Sequence, residues 1–129
     1  DRGKPPHSSF QSDKRLKKDF EVLSNALEKV MQLNGYYYYW NTGTDKRRQF
    51  GVISQEVQAV LPEITSIGED GYISVDYSKL TPLLINAIKE LKAENDALKA
   101  AMEQKDEQIS KHSREIAEIK SLIGIKAEK

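Results

Sequence analysis

The chain has 129 residues, enough for one domain and too few for a second large core. Its 20 basic and 20 acidic residues cancel, so it lacks the basic excess of a dedicated nucleic-acid binder. The absence of cysteine excludes disulfides, thiolate metal sites and cysteine nucleophiles, and no apolar run is long enough to span a bilayer. With 31% charged residues, much of the chain must be solvated surface, and association is the usual remedy for so thin a core.

Residues 1–11 carry no periodicity and contain Pro5-Pro6, which reads as an extended connector from a segment upstream. Leu16, Phe20, Leu23, Leu27, Val30 and Met31 recur at steps of three and four. That spacing predicts a helix over roughly 23–33, ended by a left-handed stop at Asn34-Gly35. Tyr36-Tyr37-Tyr38-Tyr39-Trp40 has strong strand preference, and a turn over 41–45 leads to a second strand at about 48–53. Ser54 is placed to cap a short helix, 55–61, that Pro62 terminates. A second hairpin follows, with strands at 64–67 and 72–75 around Gly68-Glu69-Asp70-Gly71.

From Ser78 the pattern changes. Leu84, Ile88, Leu91, Asn95, Leu98, Met102, Lys105, Ile109, His112, Ile116, Ile119 and Ile123 fall at alternating four- and three-residue steps. This is a heptad seam, narrower than the apolar stripe of a globular helix. A helix over 81–123 would be roughly 65 Å long, more than a head of this size can cover. Its seam must find partner helices. Glu94 would face Lys99, and Glu115 Lys120, across parallel chains in register. Isoleucine at both seam positions near the end favours three strands over two, while Asn95, Lys105 and His112 weaken the seam and fix its register.

The chain has few means of activating a nucleophile. Ser12-Asp13-Lys14-Arg15-Leu16-Lys17 places a lysine five positions after a serine. A serine needs a base, and a Ser-Lys pair is a recognised variant of triad logic. Lysine can accept that proton only as the neutral amine, a form favoured by burial or by neighbouring cations such as Lys14, Arg15 and Lys18. Taken by its spacing, the same stretch is more often an ordinary helix start, with Ser12 as N-cap, Asp13 complementing the dipole and the lysines solvated.

Four motifs in fixed order weigh against that plain reading. They are Ser12 to Lys17; Phe50-Gly51-Val52-Ile53-Ser54-Gln55-Glu56-Val57 with Leu61-Pro62-Glu63; Asp70-Gly71-Tyr72-Ile73-Ser74-Val75-Asp76-Tyr77; and Ser78-Lys79-Leu80-Thr81-Pro82-Leu83-Leu84. Together they resemble the intramolecular chaperone autoprocessing domain at the C-terminus of phage tailspikes, endosialidases and neck appendages, over residues 12 to about 95. Phe20, where that family often carries isoleucine or valine, reads as a packing variation. The resemblance implies a domain that trimerises, nucleates folding of the spike upstream and then cuts itself off. The bond cut would be Gln11–Ser12, with Ser12 the nucleophile, Lys17 the base, and Asp13 and Arg15 in support. It implies a precursor of a virion tail or appendage, assembled in the cytoplasm of a bacterial host. A one-turnover protease tied to assembly should not fire before its scissile bond is positioned, so the attached spike is the expected trigger.

Other features have plainer readings. The Tyr36–Trp40 run could stack sugars or bases, but strand aromatics more often pack half into a core. Lys46-Arg47-Arg48 near Gly43 and Thr44 fits a solvated hairpin turn better than a phosphate site. Asp70-Gly71 is turn chemistry and Asp76 a cap, so Glu56, Glu63, Asp70 and Asp76 imply no metal site. His7 and His112 lie outside any ligand spacing, and no cofactor is expected.

The fold expected is α+β: a small head of hairpins and short helices over 12–80, after a connector at 1–11. A helix over 81–129 would continue it as a parallel trimeric coiled coil. The partners expected are two further copies and the upstream spike, with no membrane and no nucleic acid. The reading from another class is a structural trimerisation or receptor-binding tip that never cuts.

Overall fold

The computed structural model describes residues 10–124, and residues 1–9 of the expected connector lie outside them. The architecture is α+β, with two small hairpins and short helices followed by one long helix. Two compact units divide after Glu90.

In the first unit a 3-10 turn at Lys14–Leu16 precedes an irregular stretch leading to α1 (Ala26–Val30). This helix is far shorter than the expected 23–33. Asn25 sits at φ 54° and ψ 34°, a left-handed conformation that no right-handed helix passes through, so α1 begins after it. At the other end Gln32 and Leu33 donate to the carbonyls of Lys29 and Val30, a tightening that ends the helix. The expected left-handed stop at Gly35 is not made: the described residues with positive φ are Asp19, Asn25, Gly43, Gly71 and Gly124.

β1 (Tyr36–Tyr38) pairs antiparallel with β2 (Gln49–Gly51), Tyr36 opposite Gly51 and Tyr38 opposite Gln49. Tyr39 and Trp40 fall outside this ladder. α2 (Ser54–Val60) starts at the residue expected to cap it. Ile53 takes the cap position, its carbonyl accepting from Glu56 and Val57, so Ser54 is the first helical residue. Pro62 ends α2 as expected and opens a 3-10 turn at Pro62–Ile64. β3 (Thr65–Ile67) and β4 (Ile73–Val75) form the second hairpin. In its turn Gly71 adopts φ 83°, and Asp70 Oδ1 accepts from the Tyr72 N–H at 3.0 Å. Asp76 caps as expected, accepting from the Ser78 N–H at 3.1 Å at the start of a 3-10 turn, Tyr77–Lys79. That turn runs directly into α3 (Leu80–Leu122).

The core gathers Ala26, Val57, Leu61, Ile64, Leu83 and Ala87 from α1, α2, the Pro62 turn and α3. It is small: among the described residues six are buried, none of them aromatic. Leu83 and Ala87 are 2% and 3% exposed, whereas the seam residues Ile88 and Leu98 are 65% and 68% exposed. The helix therefore spends one face on its own head and leaves the heptad face uncovered.

α3 contains 43 residues, about 65 Å at the standard rise. Seam residue Ile123 lies just past its last residue, with its N–H still bonded to the Ile119 carbonyl at 3.1 Å. Left-handed Gly124, at φ 79°, closes the helix. In the second unit Lys92–Asp96 and Lys111–Glu115 form exposed i,i+4 pairs. Pairs of this kind contribute only about 0.3–0.5 kcal/mol each, so they do not explain a helix of this length. Among the described residues no helix is long and apolar enough to cross a membrane.

Candidate active site

Asp13 sets the local geometry. Its Oδ1 accepts from the Arg15 N–H at 2.9 Å and so caps the Lys14–Leu16 turn, a role expected of Ser12 on the plain reading. The same carboxylate holds the Arg15 guanidinium at two points, Nε at 3.1 Å and Nη2 at 2.9 Å. Leu16 N–H then donates to the Asp13 carbonyl at 3.0 Å, and Lys17 N–H to the Lys14 carbonyl at 3.1 Å. This tight turn folds the backbone back on itself. Lys17 Nζ arrives 2.6 Å from Ser12 Oγ. Gln11 is bonded to Ser12 and exposed.

Of the four residues singled out in the sequence, Ser12 and Lys17 meet each other, and Asp13 and Arg15 meet each other. Arg15 is thus an already paired cation, which leaves Lys14 and Lys18 as its fellow expected neighbours of Lys17. The Arg15 guanidinium, and then its backbone N–H, hold the Asp13 carboxyl below the usual carboxylate range. In the Ser12–Lys17 contact the ammonium donates and the hydroxyl oxygen accepts. General-base chemistry needs the reverse polarity, with a neutral amine accepting from the hydroxyl. The distance serves either arrangement, and both side chains are open to solvent.

The chain carries an internal control. Asp45-Lys46-Arg47 repeats the tripeptide Asp13-Lys14-Arg15 and adopts the same ring. Its Asp45 Oδ1 accepts from the Arg47 N–H and Nε at 3.0 Å each, and Oδ2 from Nη2 at 3.0 Å. The Asp–Arg ring is thus a property of the tripeptide and not of a reaction site. What distinguishes the first copy is its flanks. Where it has Ser12 and Lys17, the second has Thr44 and Gln49, and Gln49 Nε2 turns back onto Asp45 at 3.3 Å.

The remaining candidates resolve into structural roles. Arg48 lies over the Tyr37 ring, 3.8 Å from its centroid, and Tyr37 meets Phe50 across the strands edge to face. Tyr38 and Trp40 also pack edge to face, 5.2 Å apart. Glu56 Oε1 accepts from the Tyr36 hydroxyl at 2.8 Å and Asn34 Nδ2 at 3.3 Å, fastening β1 to α2. That hydrogen bond to Glu56 is the main reason the Tyr36 phenol is held above its ordinary range. Among the described residues no three carboxylates or histidines gather as a metal group.

Sequence reasoning missed three residues. Tyr77 Oη accepts from the Val52 N–H at 3.2 Å, and a Cβ on Gly51 would come within 2.7 Å of that oxygen. The glycine of the second motif thus makes room for the tyrosine of the third. Asn86 Nδ2 donates to the Leu23 carbonyl at 2.9 Å, and Glu90 Oε2 accepts from the Leu27 N–H at 2.7 Å. The available signal was their i,i+4 spacing on the α3 face that carries Leu83 and Ala87, away from the seam.

Residues 12–66 match the family model described as chaperone of endosialidase, and the match opens on Ser12. The matched segment contains the first two of the four motifs, Ser12 to Lys17 and Phe50 to Glu63. The long tail fiber protein Gp37 of Escherichia phage AR1 is 38% identical over 88 residues, 62% of this chain and 8% of that protein. Gp37 of Salmonella phage S16 is 33% identical over 108 residues, 76% of this chain and 14% of its own length. The chain therefore spans a small fraction of the curated relatives it matches.

Proposed function

We propose that this chain is a chaperone module of a phage tail fibre, that it assembles as a parallel trimer, and that it frees itself by one cut at Gln11–Ser12. The observation that carries the cut is the 2.6 Å contact between Ser12 Oγ and Lys17 Nζ at the first residue of the family match. In the step proposed, neutral Lys17 takes the hydroxyl proton as Ser12 Oγ bonds to the Gln11 carbonyl carbon. Collapse breaks the bond from that carbon to the Ser12 nitrogen, and the proton passes to the departing amine. Water then hydrolyses the ester left between Gln11 and Ser12 Oγ, restoring the hydroxyl and freeing the Gln11 carboxylate.

The trimer rests on the uncovered seam, Leu84, Ile88, Leu91, Asn95, Leu98, Met102, Ile109, Ile116, Ile119 and Ile123. Fibre proteins rich in non-local contacts fold slowly, and a helical trimeriser holds three chain ends at high effective concentration. Its removal leaves a product protected by the height of its unfolding barrier. The homology to long tail fibre proteins supports a place in the virion tail for the upstream portion.

The test is cleavage of a full-length precursor carrying Ser12→Ala or Lys17→Met. Both are expected to stay uncut while remaining trimeric by sedimentation. A Ser12→Ala precursor that still yields the shortened product would remove the self-cleavage reading and leave the trimerisation tip as the function.

A further inference from the structure

His112 stands on the uncovered seam of α3, exposed in the single chain, with Ile109 before it and Ile116 after it. Within one chain it has no companion ligands, since among the described residues no three ligating side chains gather. A parallel trimer in register changes that count. Glu94 opposite Lys99 and Glu115 opposite Lys120 favour copies aligned at one height. Three His112 rings, one from each copy, then meet in a single layer at the axis.

The layers on either side are isoleucine, which offers no polar side-chain atom. Imidazoles enclosed between them need partners, because a polar group buried without one is costly. Three imidazolium rings would set like charges against one another on the axis. Three neutral rings instead present lone pairs that one cation can take together.

Resting on the trimer reading above, we propose that the His112 layer binds a single divalent transition-metal cation for each trimer. Three imidazole nitrogens and one water complete the tetrahedral set that Zn2+ takes, and imidazole suits Ni2+ and Cu2+ as well. The cation is structural: it joins three helices at one point and so favours the associated state. Lys105 is the charge that opposes it. That residue lies one heptad away, about 10 Å along the helix. This is close to the Debye length at about 0.1 M salt, and a lysine stem carries its ammonium outward to water. Lys105 therefore weakens the site without abolishing it.

The experiment strips the chain with a chelator and titrates it with zinc chloride, following sedimentation, bound zinc and helix melting by circular dichroism. The expected result is a trimer that takes up one zinc for every three chains. Its melting temperature should rise with zinc and fall back when chelator is added. His112→Leu fills the layer with an apolar side chain, and is expected to stay trimeric, bind no zinc and melt independently of it. His7→Ala, which removes the chain's other histidine, is expected to behave as the wild type does. A wild-type trimer that takes up no zinc would overturn this inference and leave the trimer standing. Zinc retained by His112→Leu, zinc lost from His7→Ala, or one zinc for every two chains would overturn it as well. Stabilisation by inorganic phosphate in place of zinc would assign the layer to an anion and sink the cation site. A chain that stays monomeric with and without zinc would remove the trimer along with the site.

Discussion

Asp13 shows how a residue can look catalytic and be local. Its two-point hold on Arg15 recurs at Asp45 and Arg47, so the ring follows from the tripeptide wherever it stands. The depressed carboxyl at Asp13 favours the folded turn while it is ionised. A group whose folded pKa is lowered contributes above its unfolded value, and that contribution is lost as pH falls through the folded value. Carboxyl titration by NMR should therefore give Asp13 and Asp45 midpoints below the ordinary ~3.9, with the Arg15 and Arg47 amide signals moving in step. Midpoints at the ordinary value would mean that the rings do not persist in solution. Ser12 and Lys17 were legible as a pair because a short turn brings positions five apart together. Their closeness was legible and their cap was not, since serine and aspartate are both good N-caps and the structure uses the second.

At the scale of elements, the long helix and both hairpins could be read from periodicity and turn residues. The first helix could not be read at its true length. Its apolar steps of three and four continue through Leu23, but left-handed Asn25 interrupts the backbone, and the Leu27 N–H just after it is met by Glu90, 63 residues further along the chain. Hydrophobic spacing carries no record of such a contact. The two faces of α3 also give distinct expectations. Leu83→Ala should cost the head about 2–5 kcal/mol in urea unfolding, because it opens a cavity in a core with few large side chains. Ile88→Ala should leave the unfolding of a dilute single chain nearly unchanged and weaken association instead. At the junction of hairpin and helix, Gly51→Ala pushes against Tyr77 Oη and should destabilise by about 1–3 kcal/mol. Adding Tyr77→Phe should recover part of that loss, and simple additivity of the two changes would contradict the close approach.

At the scale of the whole molecule, a thin core and a long uncovered seam belong to one design. The head is just large enough to hold the first turns of α3, and the helix is far longer than the head needs. In the proposed trimer, partner helices cover that surplus. The seam and the order of the four motifs could be read from the sequence, whereas Asn86, Glu90 and Tyr77 required the folded chain, because each acts on backbone distant in sequence. The central claim is that this assembly cuts itself once, at Ser12. The most direct test is the intact mass of both fragments from a wild-type precursor purified as a trimer. The account expects an upstream chain ending in Gln11 and a released chain beginning with Ser12, both absent from the Ser12→Ala precursor. A mature wild-type trimer that keeps the whole chain, or fragments that meet at another bond, would contradict it.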